Sequence, residues 1–192
     1  RLDGAHALGL QGLEALHLAL GDKGSAIHVL MHYCDRLGGL ATWHRQCWAE
    51  SLGKGKRGQT PVTAIGSIDQ HSQLQLYLDG PGDKLATLWL PDTAGLGPVL
   101  PKLELPGLAY LGGHRMGDVM QATAEGTVQT LTKAGVPIRV LRGKLNPESI
   151  AEWMMARMLE TLAVSVLMGV DPYDQPAVEE GKKLARAALG SK

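Results

Sequence analysis

The chain has 192 residues, with 19 Lys and Arg against 19 Asp and Glu, and only two cysteines. That length suits one domain around a single core, and the charge balance excludes a general attraction for nucleic acid or an anionic membrane, so an anionic ligand needs a local site. Cys34 and Cys47 are too few for a disulfide framework; with no secretory cue they read as reduced thiols of a cytoplasmic protein.

In chain order, residues 5–20 place Leu10, Leu13, Leu16, Leu18 and Leu20 at helical spacing before GDKG breaks the helix. A strand-like run covers 25–33. Gly38 and Gly39 open a second helix through Leu40, Trp43, Cys47 and Trp48, expected to end near Gly53 in a left-handed C-cap, with Glu50 in its last turn. Residues 61–68 read as a buried strand, and Asp69 as the cap of a helix through Leu74, Leu76 and Leu78. A third strand follows at 85–90. Residues 92–113 are rich in Gly and Pro without a clear period, a long irregular connection whose length points to the site or an interface.

Helical periodicity resumes at 116–134, a strand at 137–141, and a long helix from Pro147 to about Met168 started by Asn146 and Ser149. Arg157, Glu160, Thr161 and Ser165 interrupt its apolar run, so it reads as amphipathic or buried rather than membrane-spanning. The last helix runs from about Pro176 to Leu189, with Val178, Lys182, Ala185 and Leu189 on one stripe; Lys182 is expected to point inward and Lys183 outward. The alternation predicts an α/β fold with a mostly parallel sheet covered on both faces and right-handed crossovers.

Three ionisable groups stand out by their frames: Glu50 in AESLGKGKRG, His71 in DQHSQLQLY and Lys182 in DQPAVEEGKK. Glu50 ends a helix, where the negative end of the macrodipole suits a general base, although a merely solvated glutamate fits the same local sequence. His71 lies just past a strand in the first turn of the next helix, the edge of an α/β sheet where ligands collect; a capping or core histidine is the bland alternative. Lys182 on an apolar stripe is costly unless it faces a cleft or a partner charge, or snorkels to water. Gly53, Gly55 and Gly58 form a GxGxxG that follows a helix and precedes a strand, the reverse of the dinucleotide-binding order. None of the other histidines, His28 and His32 on one strand face included, has metal-ligand spacing. Ser72 lacks a nucleophile elbow, and the four tryptophans read as core.

AESLGKGKRGQTP, DQHSQLQLYLDGP and GVDPYDQPAVEEGKK resemble, in order and spacing, three motif runs of the glucose-6-phosphate isomerase family, bacterial type, and the likeness extends from about Ser25 to Leu189. The resemblance implies a sugar isomerase (SIS) domain over residues 1–192, a three-layer sandwich with a flavodoxin-like parallel sheet of about five strands, the C-terminal half of a two-SIS-domain enzyme. A start on Arg1 without methionine fits a piece of something longer. It implies interconversion of glucose 6-phosphate and fructose 6-phosphate through a cis-enediol. Glu50 would then be the base, His71 would assist ring opening, Lys182 would open the ring and meet oxygen charge, and Gln175 would touch the sugar. No metal or organic cofactor is implied. A homodimer with His71 contributed across the interface is. The serine and threonine phosphate loop belongs to the preceding SIS domain and has no counterpart here. A non-catalytic sugar-phosphate-sensing SIS module is the rival reading.

Overall fold

The computed structural model describes residues 25–102 and 104–190; the helix expected over 5–20, with His6 and His17, lies outside them. Four strands, β1 (Ile27–His32), β2 (Thr60–Ile65), β3 (Lys84–Pro91) and β4 (Ile138–Gly143), form one parallel sheet in the order β2-β1-β3-β4. Helices α1 (Gly38–Leu52) and α4 (Pro147–Met168) cover one face; α2 (Ile68–Asp79) and α3 (Met116–Lys133) cover the other. A further helix, α5 (Glu179–Gly190), follows α4. This is the three-layer, flavodoxin-like arrangement expected, with four strands among the described residues rather than about five. Only four stretches of the sequence carry a strand pattern; the fifth was an expectation of the resemblance alone.

The α4 boundaries match the sequence signals. Asn146 accepts a hydrogen bond from the Ser149 N–H at 2.9 Å, Pro147 occupies the first turn, and Gly169 closes the helix at φ 65°, the left-handed conformation that only glycine adopts cheaply. Two caps differ from expectation. Gly53 ends α1 at φ −74°, so no left-handed turn is needed there. Glycine is still required, because a Cβ would lie 2.7 Å from the Ala49 carbonyl oxygen. Asp69 is not the cap of α2: it sits inside the first turn and its carboxylate turns back to accept the Ile65 N–H at 2.7 Å, tying helix to strand.

The two faces of the sheet differ in chemistry. Toward α2 and α3, Val29, Met31, Tyr33, Ala86, Leu88 and Leu90 alternate into an apolar layer, as the two-residue period requires. Toward α1 and α4, the alternate positions carry His28, Thr87 and Arg139 among Leu30, Trp89 and Leu141, all buried. Glu160 of α4 forms ion pairs with both Arg139 and Arg157, and all three are buried. Arg139 also donates to the Thr87 hydroxyl at 2.9 and 3.2 Å. Guanidinium only donates, so the Thr87 proton goes to His28 Nε2, 2.8 Å away. His44 stacks on Trp89 with its ring centroid 6.0 Å distant, and neither of its nitrogens has a hydrogen-bond partner. Burial, reinforced by Arg157 and Arg139, pushes the His44 pKa down to about 3; burial and Arg139 also push His28 well below its ordinary value.

This layer makes two measurable demands. Replacing Glu160 by Gln leaves two guanidinium groups facing each other in the core, and should cost about 3–5 kcal/mol of unfolding free energy in urea titrations; a loss below about 1 kcal/mol would mean that the pairing contributes little. Because folding holds His28 and His44 neutral below the unfolded value of 6.5, the unfolded chain binds more protons, and stability falls as pH drops from 6.5 toward 3. The slope should approach about 1.4 kcal/mol per pH unit for each histidine, and His44→Asn should remove one share of it, whatever its effect at neutral pH.

Candidate active site

Glu50 lies in the last turn of α1 with its carboxylate exposed. Each of its oxygens accepts one amide N–H: Oε1 from Gln46 Nε2, one turn earlier, at 3.1 Å, and Oε2 from Gln175 Nε2 at 2.9 Å. Two neutral donors fix the plane of the carboxylate while leaving it further lone pairs for an incoming proton. Glu50 and Gln175, 125 positions apart, therefore meet.

Basic residues hold this junction together. Lys54, half-buried, forms an ion pair with Asp174 at 3.1 Å and donates to the Asp171 and Ser51 carbonyls, the latter at 3.1 Å. Arg57 donates to the Met168 carbonyl at the carboxyl end of α4, where the helix's unpaired carbonyls and negative dipole end favour a cation. The GKGKR turn is thus a clamp on the segment carrying Gln175. Gln46 was legible as the helical i, i+4 partner of Glu50; the Lys54 to Asp174 pairing has no local signal.

His71 sits elsewhere. It is exposed in the first turn of α2, just past the end of β2, at the carboxyl edge of the sheet. Glu50 is at the amino edge, where Gln59 Nε2 reaches the Ser25 carbonyl at 2.7 Å beside the first residues of β1 and β2. Six-residue strands separate the two edges by roughly 20 Å. One copy of the chain does not bring the imidazole to the carboxylate.

Lys182 is also apart, and its expected inward orientation is not observed. Its side chain is 55% exposed and pairs with Glu179 on the same helix at 2.7 Å. All residues from Tyr173 to Gly190 are exposed, including Leu184 (62%) and Leu189 (82%). The amphipathic pattern is real, but α5 lays its apolar stripe on nothing among the described residues. His28 and His32 do share one strand face as expected; they are engaged by Thr87 and by the Cys34 carbonyl, the latter at 2.8 Å. Trp48, Trp89 and Trp153 are buried, and Trp43 is half-buried against the cluster that holds Trp89 and Trp153. No helix among the described residues is long and apolar enough to cross a membrane.

Fold and site together define an α/β chain with a carboxylate fixed at one end of a parallel sheet. No family model matches it. Over 192 aligned residues it is 41% identical to the glucose-6-phosphate isomerase of Rubrobacter xylanophilus, an alignment covering 97% of this chain and 44% of that relative. The crystal structure of a hypothetical protein from Thermus thermophilus superposes with a TM-score of 0.81 at 32% identity, over 95% of this chain and 50% of that one. A crystal structure of glucose-6-phosphate isomerase from Chlamydia trachomatis, 19% identical, shares the fold with a TM-score of 0.71 over 94% of this chain and 38% of that one. The chain thus spans about two-fifths of the length of the curated relatives it matches.

If the clamp places Gln175, Lys54→Met should accelerate amide exchange across residues 170–175 while lowering global stability by less than about 1 kcal/mol, since the ion pair is partly solvated. Unchanged exchange in that segment would assign its position to other contacts.

Proposed function

We propose that this chain is the catalytic, C-terminal SIS half of a bacterial-type glucose-6-phosphate isomerase, working in the cytoplasm as a homodimer. The single observation that carries the reading is the 2.9 Å bond joining Glu50 to Gln175, which assembles the two runs that resemble the family's base and sugar-contact motifs. The names of the similar proteins favour an isomerase over a sensor of sugar phosphates.

In the proposed reaction His71 transfers a proton to the ring oxygen as the sugar opens and the C1 hydroxyl gives up its own, leaving an aldehyde. Glu50 removes the proton from C2, made acidic by the adjacent carbonyl. The electron pair moves into a C1–C2 double bond, and a proton reaches the carbonyl oxygen to give the cis-enediol. Return of the proton from Glu50 to C1, as the C2 hydroxyl gives up its own and becomes the carbonyl, yields the ketose. Lys182 offsets negative charge developing on the sugar oxygens. Gln175 holds the base and touches the substrate. No metal or organic cofactor enters the scheme.

Two groups must still be brought to the base. His71, at the far edge of the sheet, serves the site of a second copy. Lys182 reaches the base once the Leu184 and Leu189 stripe is covered by the preceding SIS domain, which also supplies the phosphate anchor absent here. The exposed Glu179 partner does not oppose this, since such a pair is worth only a few tenths of a kcal/mol.

In the full-length protein, Glu50→Gln should abolish exchange of the C2 hydrogen with solvent while sparing sugar-phosphate binding; persistent exchange removes Glu50 from the role of base, and binding without any turnover in the parent protein favours the sensor. Mixing inactive Glu50→Gln and His71→Ala subunits should restore about one quarter of parental activity, because random pairing gives half mixed dimers with one intact site each. No recovery after verified subunit exchange would place both groups in one copy.

A further inference from the structure

A second site lies at the opposite edge of the sheet from Glu50. The carboxyl ends of β3 and β4, the residue after β1, and α3 enclose a cavity of about 310 Å³, within the range of small-molecule sites and at the edge of a doubly wound sheet where such sites form. Its buried members, Tyr33, Leu90, Pro91 and Ala124, are apolar except for the Tyr33 hydroxyl, which donates to Gln70 at 3.0 Å; its exposed members, Asp92, Arg142 and Lys144, are charged.

The polar groups around it are incompletely satisfied. Gln121 lines the cavity, with its Oε1 buried behind the cavity surface and without a hydrogen-bond partner among the described residues. Lys144 takes part in no ion pair or hydrogen bond among the described residues. Arg142 is held in a bidentate pair with Glu125, its Nη2 donating to Oε2 at 2.9 Å, so its guanidinium is fixed beside the opening. A ligand here must present hydrogen-bond donors to the Asp92 carboxylate and negative charge to Lys144 and Arg142. Hydroxyl groups beside a phosphate or carboxylate meet both requirements; a bare anion meets only the second.

We infer that the cavity between α3 and the carboxyl ends of β3 and β4, with Gln121, Asp92, Arg142 and Lys144 at its rim, binds a small hydroxylated anion, a sugar-derived phosphate or acid, separately from the Glu50 site. The inference does not rest on the isomerase reading, since none of these residues belongs to that site.

Titration calorimetry of the full-length protein, with amide exchange to locate the site, tests it. The probes are glycerol 3-phosphate, glycerate, glycerol and inorganic phosphate. Saturable binding of glycerol 3-phosphate or glycerate is expected, with protection of amides at 91–93 and 142–144; which of the two binds tells a phosphate from a carboxylate site. Glycerol should not bind, and inorganic phosphate should bind more weakly than glycerol 3-phosphate. Lys144→Met, at an exposed position, should weaken binding about tenfold or more through loss of a charge-assisted contact, whereas Glu50→Gln should leave this protection unchanged. Absence of protection at those amides, equal binding of inorganic phosphate, or full affinity in a folded Lys144→Met protein would each overturn the assignment.

Discussion

All four strands point the same way, and that direction governs where every functional group can lie. In a parallel sheet each crossover helix begins at the carboxyl edge and returns its chain to the amino edge. A residue at the end of α1, such as Glu50, must emerge at one edge; a residue at the start of α2, such as His71, must emerge at the other. Side-chain rotation cannot close a gap of roughly 20 Å. The same rule unites Glu50 with Gln175. Helices α1 and α4 are neighbours on one face, and both run home to the amino edge, so the segment leaving α4 arrives beside the last turn of α1. Separation of one pair and union of the other follow from a single topological fact.

Alignment of α4 against α1 is set by the polar layer beneath them. Apolar side chains tolerate sliding along a sheet, because dispersion and hydrophobic burial have little directionality. An ion triad does not. Glu160 must face Arg139 of β4 and Arg157 of its own helix, with Thr87 and His28 completing the chain of donors and acceptors across three strands. A helix displaced by one turn would strand charge in the core at a cost of several kcal/mol. The layer therefore acts at a distance on the site: it fixes the axial position of α4, and with it the point where Asp171 meets Lys54.

Much of this was readable in the amino-acid order, because local signals agreed with one another. Strand-like runs marked the strands; Asn146, Pro147 and Ser149 started α4; glycines after Leu37 and near Leu52 bounded α1. What escaped was decided by three-dimensional contacts that residue type alone does not specify. Gly53 was explained by its dihedral preference, whereas the operative fact is its closeness to the Ala49 carbonyl. Asp69 matched a capping residue, but the free Ile65 N–H offered a nearer partner. Lys182 shows the limit most plainly: a helical stripe specifies that something covers it, not that the cover is part of the same folded unit. Lys54 carried no pattern at all, since its partner lies 120 positions downstream.

The break between Gln175 and α5 has a consequence for how the centre would mature. Gln175 is anchored through Lys54 and Asp174, while the side chains of the short turn Pro176–Val178 and of the helix beyond it are exposed. On the proposed reading the centre would be built in two tiers: an amide and a carboxylate locked in advance by the chain itself, and an ammonium whose address is written by whatever surface receives Leu184 and Leu189. Assembly, not folding, would then be the event that arms the base, leaving an unassembled copy chemically inert toward free sugars.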